Sequence, residues 1–164
     1  MVDCYVGLGG NFKNTLPVIK QVVSALKSEK KIEQFTLSRL YRTTPVNSAP
    51  PDYLNAVCRF QTQLPLTQLW QLLQTLEKKM GKREKPKDFP RLIDLDLLFY
   101  GSLVLTTEEL TIPHPRWHER LFVLAPLADV TDILPIEGGI AIKALLQEFP
   151  DSNKEKIFVL NESI

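Results

Sequence analysis

The stretch Tyr53-Leu54-Asn55-Ala56-Val57-Cys58-Arg59-Phe60-Gln61-Thr62-Gln63-Leu64, followed after Pro65 by LTQLWQLLQTLEKKMG from Leu66 to Gly81, decides the fold. Its first part is dense in β-branched and aromatic residues and reads as a strand over Tyr53 to Leu64. Its second part spaces Leu66, Leu69, Leu73, Leu76 and Met80 along one helical face and predicts a helix that stops near Gly81. Working outward, Val2 to Leu8 reads as a buried strand closed by Gly9-Gly10-Asn11. Leu16, Ile19, Val23 and Leu26 then predict a helix over Leu16 to Ser28, and Ile32 to Arg42 a second strand. On the other side, Arg91 to Tyr100 is a strand, with Gly101-Ser102 turning into a short one at Leu103 to Leu105. Short helices follow Pro115 and cover Ile140 to Gln147, and Lys156 to Leu160 makes a last edge strand.

The order β-α-β-β-α-β predicts an α+β fold of the ferredoxin-like, split-βαβ kind, a mainly antiparallel sheet with helices packed on it. Residues 1–164 are expected to form a single domain, a length that buries roughly 70% of the unfolded surface without metal or disulfide staples. Lys and Arg number 20 against 19 Asp and Glu, so no overall field advertises nucleic acid or membrane as a partner. Two cysteines make no disulfide framework and no zinc motif. With Asp3 and strand-like residues where a signal peptide would be basic and then apolar, a cytoplasmic, monomeric protein is expected. Prolines gather at Pro45, Pro50 and Pro51, at Pro86 and Pro90, and at Pro113 and Pro115, predicting three loops of the kind that carry function.

The sharpest chemical feature is Asp94-Leu95-Asp96 within a strand. Alternation puts both acids on one face, about 6.7 Å apart at Cα, and sends Ile93, Leu95, Leu97 and Phe99 to the core face. Paired carboxylates repel unless a cation lies between them, and Mg²⁺ takes one or two carboxylates plus substrate phosphates. A solvated strand face is the plain alternative. The adjoining segment Lys78 to Arg91 holds seven of the twenty basic residues, including Arg83 and Arg91, against Glu84 and Asp88. Cations beside a metal-binding pair are what a triphosphate needs. His114, in Thr111-Ile112-Pro113-His114-Pro115, and Arg120 extend the phosphate case. Tyr53 and Asn55 share a strand face and suit a flat heterocycle, the ring for stacking and the amide for its edge. Gln74 and Glu77 lie on one helical face and reach either a nucleotide or water.

No P-loop, dinucleotide fingerprint or nucleophile elbow is present; Phe12 stands where a dinucleotide motif needs its third glycine. A DxD nucleotidyltransferase would place its Gly-Ser loop before the acids, whereas Gly101-Ser102 follows them. A ferredoxin-like RNA-binding module would want strand aromatics and a basic face rather than acids in mid-strand.

The motifs Tyr5-Val6-Gly7-Leu8-Gly9-Gly10-Asn11, Tyr41-Arg42-Thr43-Thr44-Pro45, Pro51-Asp52-Tyr53-Leu54-Asn55-Ala56, Pro90-Arg91-Leu92-Ile93-Asp94-Leu95-Asp96-Leu97, Ile112-Pro113-His114 and Arg120-Leu121-Phe122 together resemble the 6-hydroxymethyl-7,8-dihydropterin pyrophosphokinases of folate biosynthesis. The resemblance implies transfer of pyrophosphate from ATP to the pterin hydroxymethyl group with release of AMP. It implies that Asp94 and Asp96 hold two Mg²⁺ ions and, with Arg83 and Arg91, form the catalytic set. It implies Gln74, Glu77, Arg83, Arg91, Leu97, Thr111, His114 and Arg120 on the ATP side. For the pterin it implies Tyr53 and Phe122 as a sandwich, with Asn55 and Thr43, Thr44, Pro45 and Val46 reading the edge. The chain departs from the family pattern at Phe89, where tryptophan is usual, in a loop one residue shorter around Pro90. It departs also at Glu109, where some members carry arginine, at Pro115 and at Thr44. Altered substrate affinity is expected before altered chemistry.

Overall fold

A computed structural model of the chain describes residues 1–10, 15–44, 52–80, 92–150 and 156–161. Strand β1 (Val2–Gly10) leads into helix α1 (Thr15–Ser28), then β2 (Ile32–Leu37), β3 (Leu40–Thr44), β4 (Tyr53–Thr62), α2 (Leu66–Lys79) and β5 (Asp94–Tyr100). Two small hairpins, β6 (Leu105–Thr106) with β7 (Thr111–Ile112) and β8 (Ile133–Leu134) with β9 (Ile140–Ala141), flank helix α3 (Leu121–Val130). A 3₁₀ turn at Trp117–Glu119 precedes α3; helix α4 (Ile142–Glu148) and strand β10 (Lys156–Leu160) complete the order. The main sheet runs β10-β3-β4-β1-β5 with β2 beside β4, and all its pairs are antiparallel. This is the ferredoxin-like arrangement expected, with β10 added at one edge.

Alternation along the strands builds two different faces. Cys4, Val6 and Leu8 of β1, Ala56, Cys58 and Phe60 of β4, and Leu95 and Leu97 of β5 point to one side. There they meet Ile19, Val22 and Leu26 of α1 and Leu69, Leu73 and Leu76 of α2. Each fully buried Val, Leu, Ile or Phe among them contributes roughly 1.5–3 kcal/mol. Tyr5, Val57, Leu98 and Phe99 point to the other side, against Val123, Leu124 and Leu127 of α3 and Ile142 of α4.

Several elements depart from the sequence reading, among them the short strand expected at Leu103 to Leu105, which forms instead at Leu105–Thr106. The strand expected over Ile32 to Arg42 breaks at Ser38 and Arg39. There Ser38 stays bonded to β4, donating its N–H to Val57 O and accepting the Val57 N–H on Oγ, both at 2.9 Å. A serine able to do both lets the chain turn from β2 to β3 without orphaning a buried amide. Second, Phe99 does not share the face of Leu95 and Leu97. Leu97 pairs with Val6 and Phe99 with Tyr5, so Leu98 is the extra residue of a bulge that shifts the alternation. Third, Ile140 and Ala141 form a strand, and α4 begins only at Ile142. The proline loops around residues 45–51 and 86–90 lie outside the described residues.

Both cysteines are buried and unpaired by disulfide, and burial pushes both thiols up, Cys4 to about 12. They are packing residues with little thiolate character. No helix among the described residues is long and apolar enough to cross a membrane.

Candidate active site

Antiparallel register lines up the chemistry-bearing residues across the sheet. Tyr41 of β3 pairs with Asn55 of β4, Asn55 with Gly9 of β1, and Gly9 with Asp94 of β5. In the next row Val57 pairs with Gly7 and Gly7 with Asp96. Directly paired residues share a face. A line therefore runs from Asn55, across two strand positions without side chains, to the two carboxylates. Asp94 and Asp96 are both half-buried. Thr43 and Tyr53, also paired with one another, extend the row at the β3–β4 end, where Tyr53 stands exposed.

The glycines shape this surface differently. A Cβ on Gly9 would lie 2.8 Å from Asn55 Oδ1, so glycine lets the amide lie flat over β1. That amide donates from Nδ2 to Thr43 Oγ1 at 3.1 Å, a bond between two buried groups. A Cβ on Gly7 would meet only ordinary contacts, the nearest Leu98 Cδ2 at 3.7 Å. Gly10 is needed for packing: its Cβ would lie 2.6 Å from Leu92 O, where the chain enters β5.

On the outer side of β5 a cavity of about 260 Å³ is lined by Asp96, Leu97, Trp70, Thr111, His114 and Pro115 together with the turn Thr107–Leu110. The His114 N–H donates to Leu98 O at 3.0 Å, which pins this loop to the strand, and the Ile112–Pro113 peptide before it is cis. Burial pushes the His114 imidazole below its ordinary value; Asp96 pulls it up, but Arg120 and Arg116 push the same way as burial. The ring is therefore neutral near pH 7. Its Nδ1 accepts the Arg116 N–H at 3.3 Å, which puts the proton on Nε2 and makes that nitrogen a donor.

Of the predicted ATP-side residues, Leu97, Thr111 and His114 thus come together in one cavity, beside the predicted metal-holding Asp96. Glu77 is buried on α2, and its Oε1 accepts the Leu95 N–H at 2.7 Å, so it ties the helix to the edge strand between the two acids. Gln74 lies half-buried on the same helix. Arg120 holds its guanidinium 5.5 Å from the centre of the Phe122 ring, joining a predicted phosphate residue to a predicted pterin residue at the start of α3. Arg83, Arg91, Pro45 and Val46 lie outside the described residues, as does the side chain of Thr44.

Trp70 is the residue that sequence reasoning missed. It lines the cavity, and among the described residues its buried indole N–H has no hydrogen-bond partner. The signal was available in its spacing, four and seven positions before Gln74 and Glu77 on α2. Glu108 and Glu109 also line the cavity, giving it acidic walls as well as an acidic end.

Residues 5–132 match the family described as 7,8-dihydro-6-hydroxymethylpterin-pyrophosphokinase. The chain belongs to this family. The 2-amino-4-hydroxy-6-hydroxymethyldihydropteridine pyrophosphokinase of Haemophilus influenzae is 30% identical over 158 residues, covering 96% of this chain and 99% of that one. The Synechocystis protein of the same name is 36% identical over 144 residues, covering 87% and 74%. The folic acid synthesis protein fol1 of Pneumocystis carinii is 38% identical over 149 residues, but this chain spans only 20% of its length. In fold, the chain is similar to Plasmodium falciparum HPPK-DHPS, with a TM-score of 0.63 at 14% identity, over 90% of this chain and 43% of that one. The pyrophosphokinase family thus shares both sequence and architecture with this chain, which places it among the diphosphokinases of folate synthesis.

Proposed function

We propose that this chain, acting as one catalytic unit over residues 1–164, moves pyrophosphate from ATP to the hydroxymethyl group of 6-hydroxymethyl-7,8-dihydropterin. The observation that carries the reading is the register row. It supports a flat heterocycle lying over Gly9 and Gly7, read at one end by Asn55 and Thr43, with its other end toward Asp94 and Asp96. The nucleotide enters from the cavity beyond β5, its phosphates toward Asp96 and His114 and its base toward Trp70 and Leu110. The two substrates then meet over the carboxylates, where the pterin hydroxyl attacks the β-phosphorus and AMP departs.

The donor set fits Mg²⁺. Among the described residues no three His, Cys, Asp or Glu side chains gather as a closed protein cage would require. Two carboxylates on one strand face leave most of the coordination shell to water and phosphate, which is how Mg²⁺ is usually held. Two such ions at Asp94 and Asp96 would neutralise phosphate charge and orient the attacking hydroxyl. His114 donates from Nε2 to a phosphate oxygen, and Arg120 adds positive charge at the same end. Tyr53 from below and Phe122 from above stack on the pterin; Arg83 and Arg91, with Gln74, complete the phosphate and nucleotide contacts. The protein works as a monomer in the cytoplasm.

A product assay tests this. With Mg-ATP and 6-hydroxymethyl-7,8-dihydropterin, AMP is expected to form only when the pterin is present. ADP in place of AMP, or AMP independent of pterin, overturns the reading.

A further inference from the structure

Asp129 lies in the last turn of α3, where an acid is poorly placed, because the carbonyl end of a helix repels negative charge. Its carboxylate is nonetheless among the most heavily hydrogen-bonded groups described. It accepts the Arg39 backbone N–H at 3.0 Å, Arg39 Nη2 at 2.7 Å and the Tyr41 hydroxyl at 2.9 Å. Arg39 Nη2 also donates to the Tyr41 oxygen at 3.0 Å, closing the triangle. Arg39 is well exposed, but Tyr41 is buried, with 5% of its surface accessible. The tight element of the clamp is therefore the Tyr41–Asp129 bond.

The position of this clamp gives it a role. Tyr41 is paired directly with Asn55, and it shares a face of β3 with Thr43, whose hydroxyl accepts the Asn55 amide. Asp129 is seven residues, about two helical turns, after Phe122, so both lie along one half-buried flank of α3, beside the buried face of Val123, Leu127 and Val130. The clamp thus ties the strand pair that presents Asn55, Thr43 and Tyr53 to the helix that presents Phe122, in addition to the apolar packing of α3 on the sheet.

We propose that Tyr41 and Asp129 are positioning residues that set the width of the slot between β3–β4 and α3, and through it the affinity for a flat pterin ring. This inference rests on the pterin reading above. It bears first on the pterin, because the nucleotide cavity is lined by β5, β7 and α2, which the clamp does not touch; of the proposed nucleotide contacts only Arg120 lies at the start of the clamped helix.

The test is the Tyr41→Phe variant, which removes one hydroxyl and keeps the ring, alongside Asp129→Asn as a second route to the same bond. Pterin binding is followed by fluorescence titration, Mg²⁺ with a non-hydrolysable ATP analogue by calorimetry, and turnover by AMP release. Both variants are expected to weaken pterin binding and raise its KM roughly fivefold, the scale of one hydrogen bond. kcat should stay within about twofold and analogue affinity should be unchanged. Their effects should also fail to add in the double variant. Unchanged pterin affinity in both variants overturns the proposal and leaves the clamp a stabilising contact. Parallel losses in both substrates and kcat overturn it too, since the clamp would then support the site as a whole. A wild-type protein that binds the ATP analogue but no pterin would instead sink the pterin reading, and this inference with it.

Discussion

The two faces of the central sheet are made by the same strands, one residue out of step, and they have opposite characters. On the α1–α2 face every inward position of β1, β4 and β5 from Val6 to Leu8, Ala56 to Phe60 and Leu95 to Leu97 is apolar and covered. On the other face, the end toward Tyr5, Val57 and Phe99 is packed under α3, whereas the end toward Gly9, Asn55 and Asp94 is not part of either core. The first face holds the fold together. The other half of the second lies outside both apolar cores and places glycine, amide and carboxylate where apolar side chains would otherwise pack. A sheet secured on one side can afford such a surface on the other.

The largest break in this comparison is Asp96→Ala. Removing one carboxylate from the pair should cost several kcal/mol of transition-state stabilisation, on the order of 10³-fold in turnover. The melting temperature should move by no more than about 3 °C, because the acid packs no core. Near wild-type turnover would disprove the paired-carboxylate assignment. The mirror-image variant is Phe60→Ala on the covered face. Phe60 is fully buried and stacks on Phe35 with ring centres 6.1 Å apart. Its loss should cost about 3–5 kcal/mol of stability, while turnover per folded molecule is retained. If Phe60→Ala lowered turnover without lowering stability, the division of labour between the faces would be wrong.

This division was legible in the sequence to a definite depth. The Leu66–Met80 stripe and the strand Tyr53–Leu64 carried the topology because helical and strand periodicities report burial directly, and the observed helix and strand fall within one to two residues of the reading. The acid pair was legible for the same reason: alternation put Asp94 and Asp96 on one side wherever the strand began. Alternation alone could not reveal the bulge at Leu98, which depends on pairing with β1, and so Phe99 was assigned to the wrong face. The break at Ser38 depends equally on a partner strand. Trp70 escaped notice because on a helix its indole reads as one more apolar residue of the stripe. Only the cavity beside it distinguishes the two roles. The Asp129 clamp joins residues 88 apart in the chain, a separation that no local pattern reports.

The glycines sharpen the comparison further, since Gly7 and Gly9 occupy the same face two residues apart but with different surroundings. At Gly9 a methyl group would collide with Asn55 Oδ1, so Gly9→Ala must push the amide off Thr43. The expected result is a pterin KM raised about tenfold, the cost of a displaced buried hydrogen bond, with nucleotide affinity unchanged. Gly7→Ala meets nothing closer than 3.7 Å, so stability should be retained. Equal stability losses in the two variants would mean that both glycines serve the backbone and neither serves the trough.

The smallest effect lies in the acid limb of stability, and it isolates the contact between the packed half of the second face and β3. Burial alone would raise the Asp129 carboxyl, but hydrogen bonds from Arg39 and Tyr41 outweigh it and hold the group below its ordinary value. A carboxyl held low in the folded state binds its proton more readily when unfolded. It therefore stabilises the fold above the unfolded value, near 3.9, and that contribution disappears as pH falls through the folded one. Asp129→Asn should accordingly melt a few degrees below wild type at pH 7, and the gap should begin to narrow below about pH 4 and close as the folded-state carboxyl takes up its proton. The guanidinium of Arg39 is exposed and screened, so added salt should narrow the gap at neutral pH only slightly if the buried Tyr41 hydroxyl carries most of the bond. A gap that persists unchanged at pH 3 would show that the variant acts through packing, and that charge at the end of α3 contributes nothing to holding the helix on the sheet.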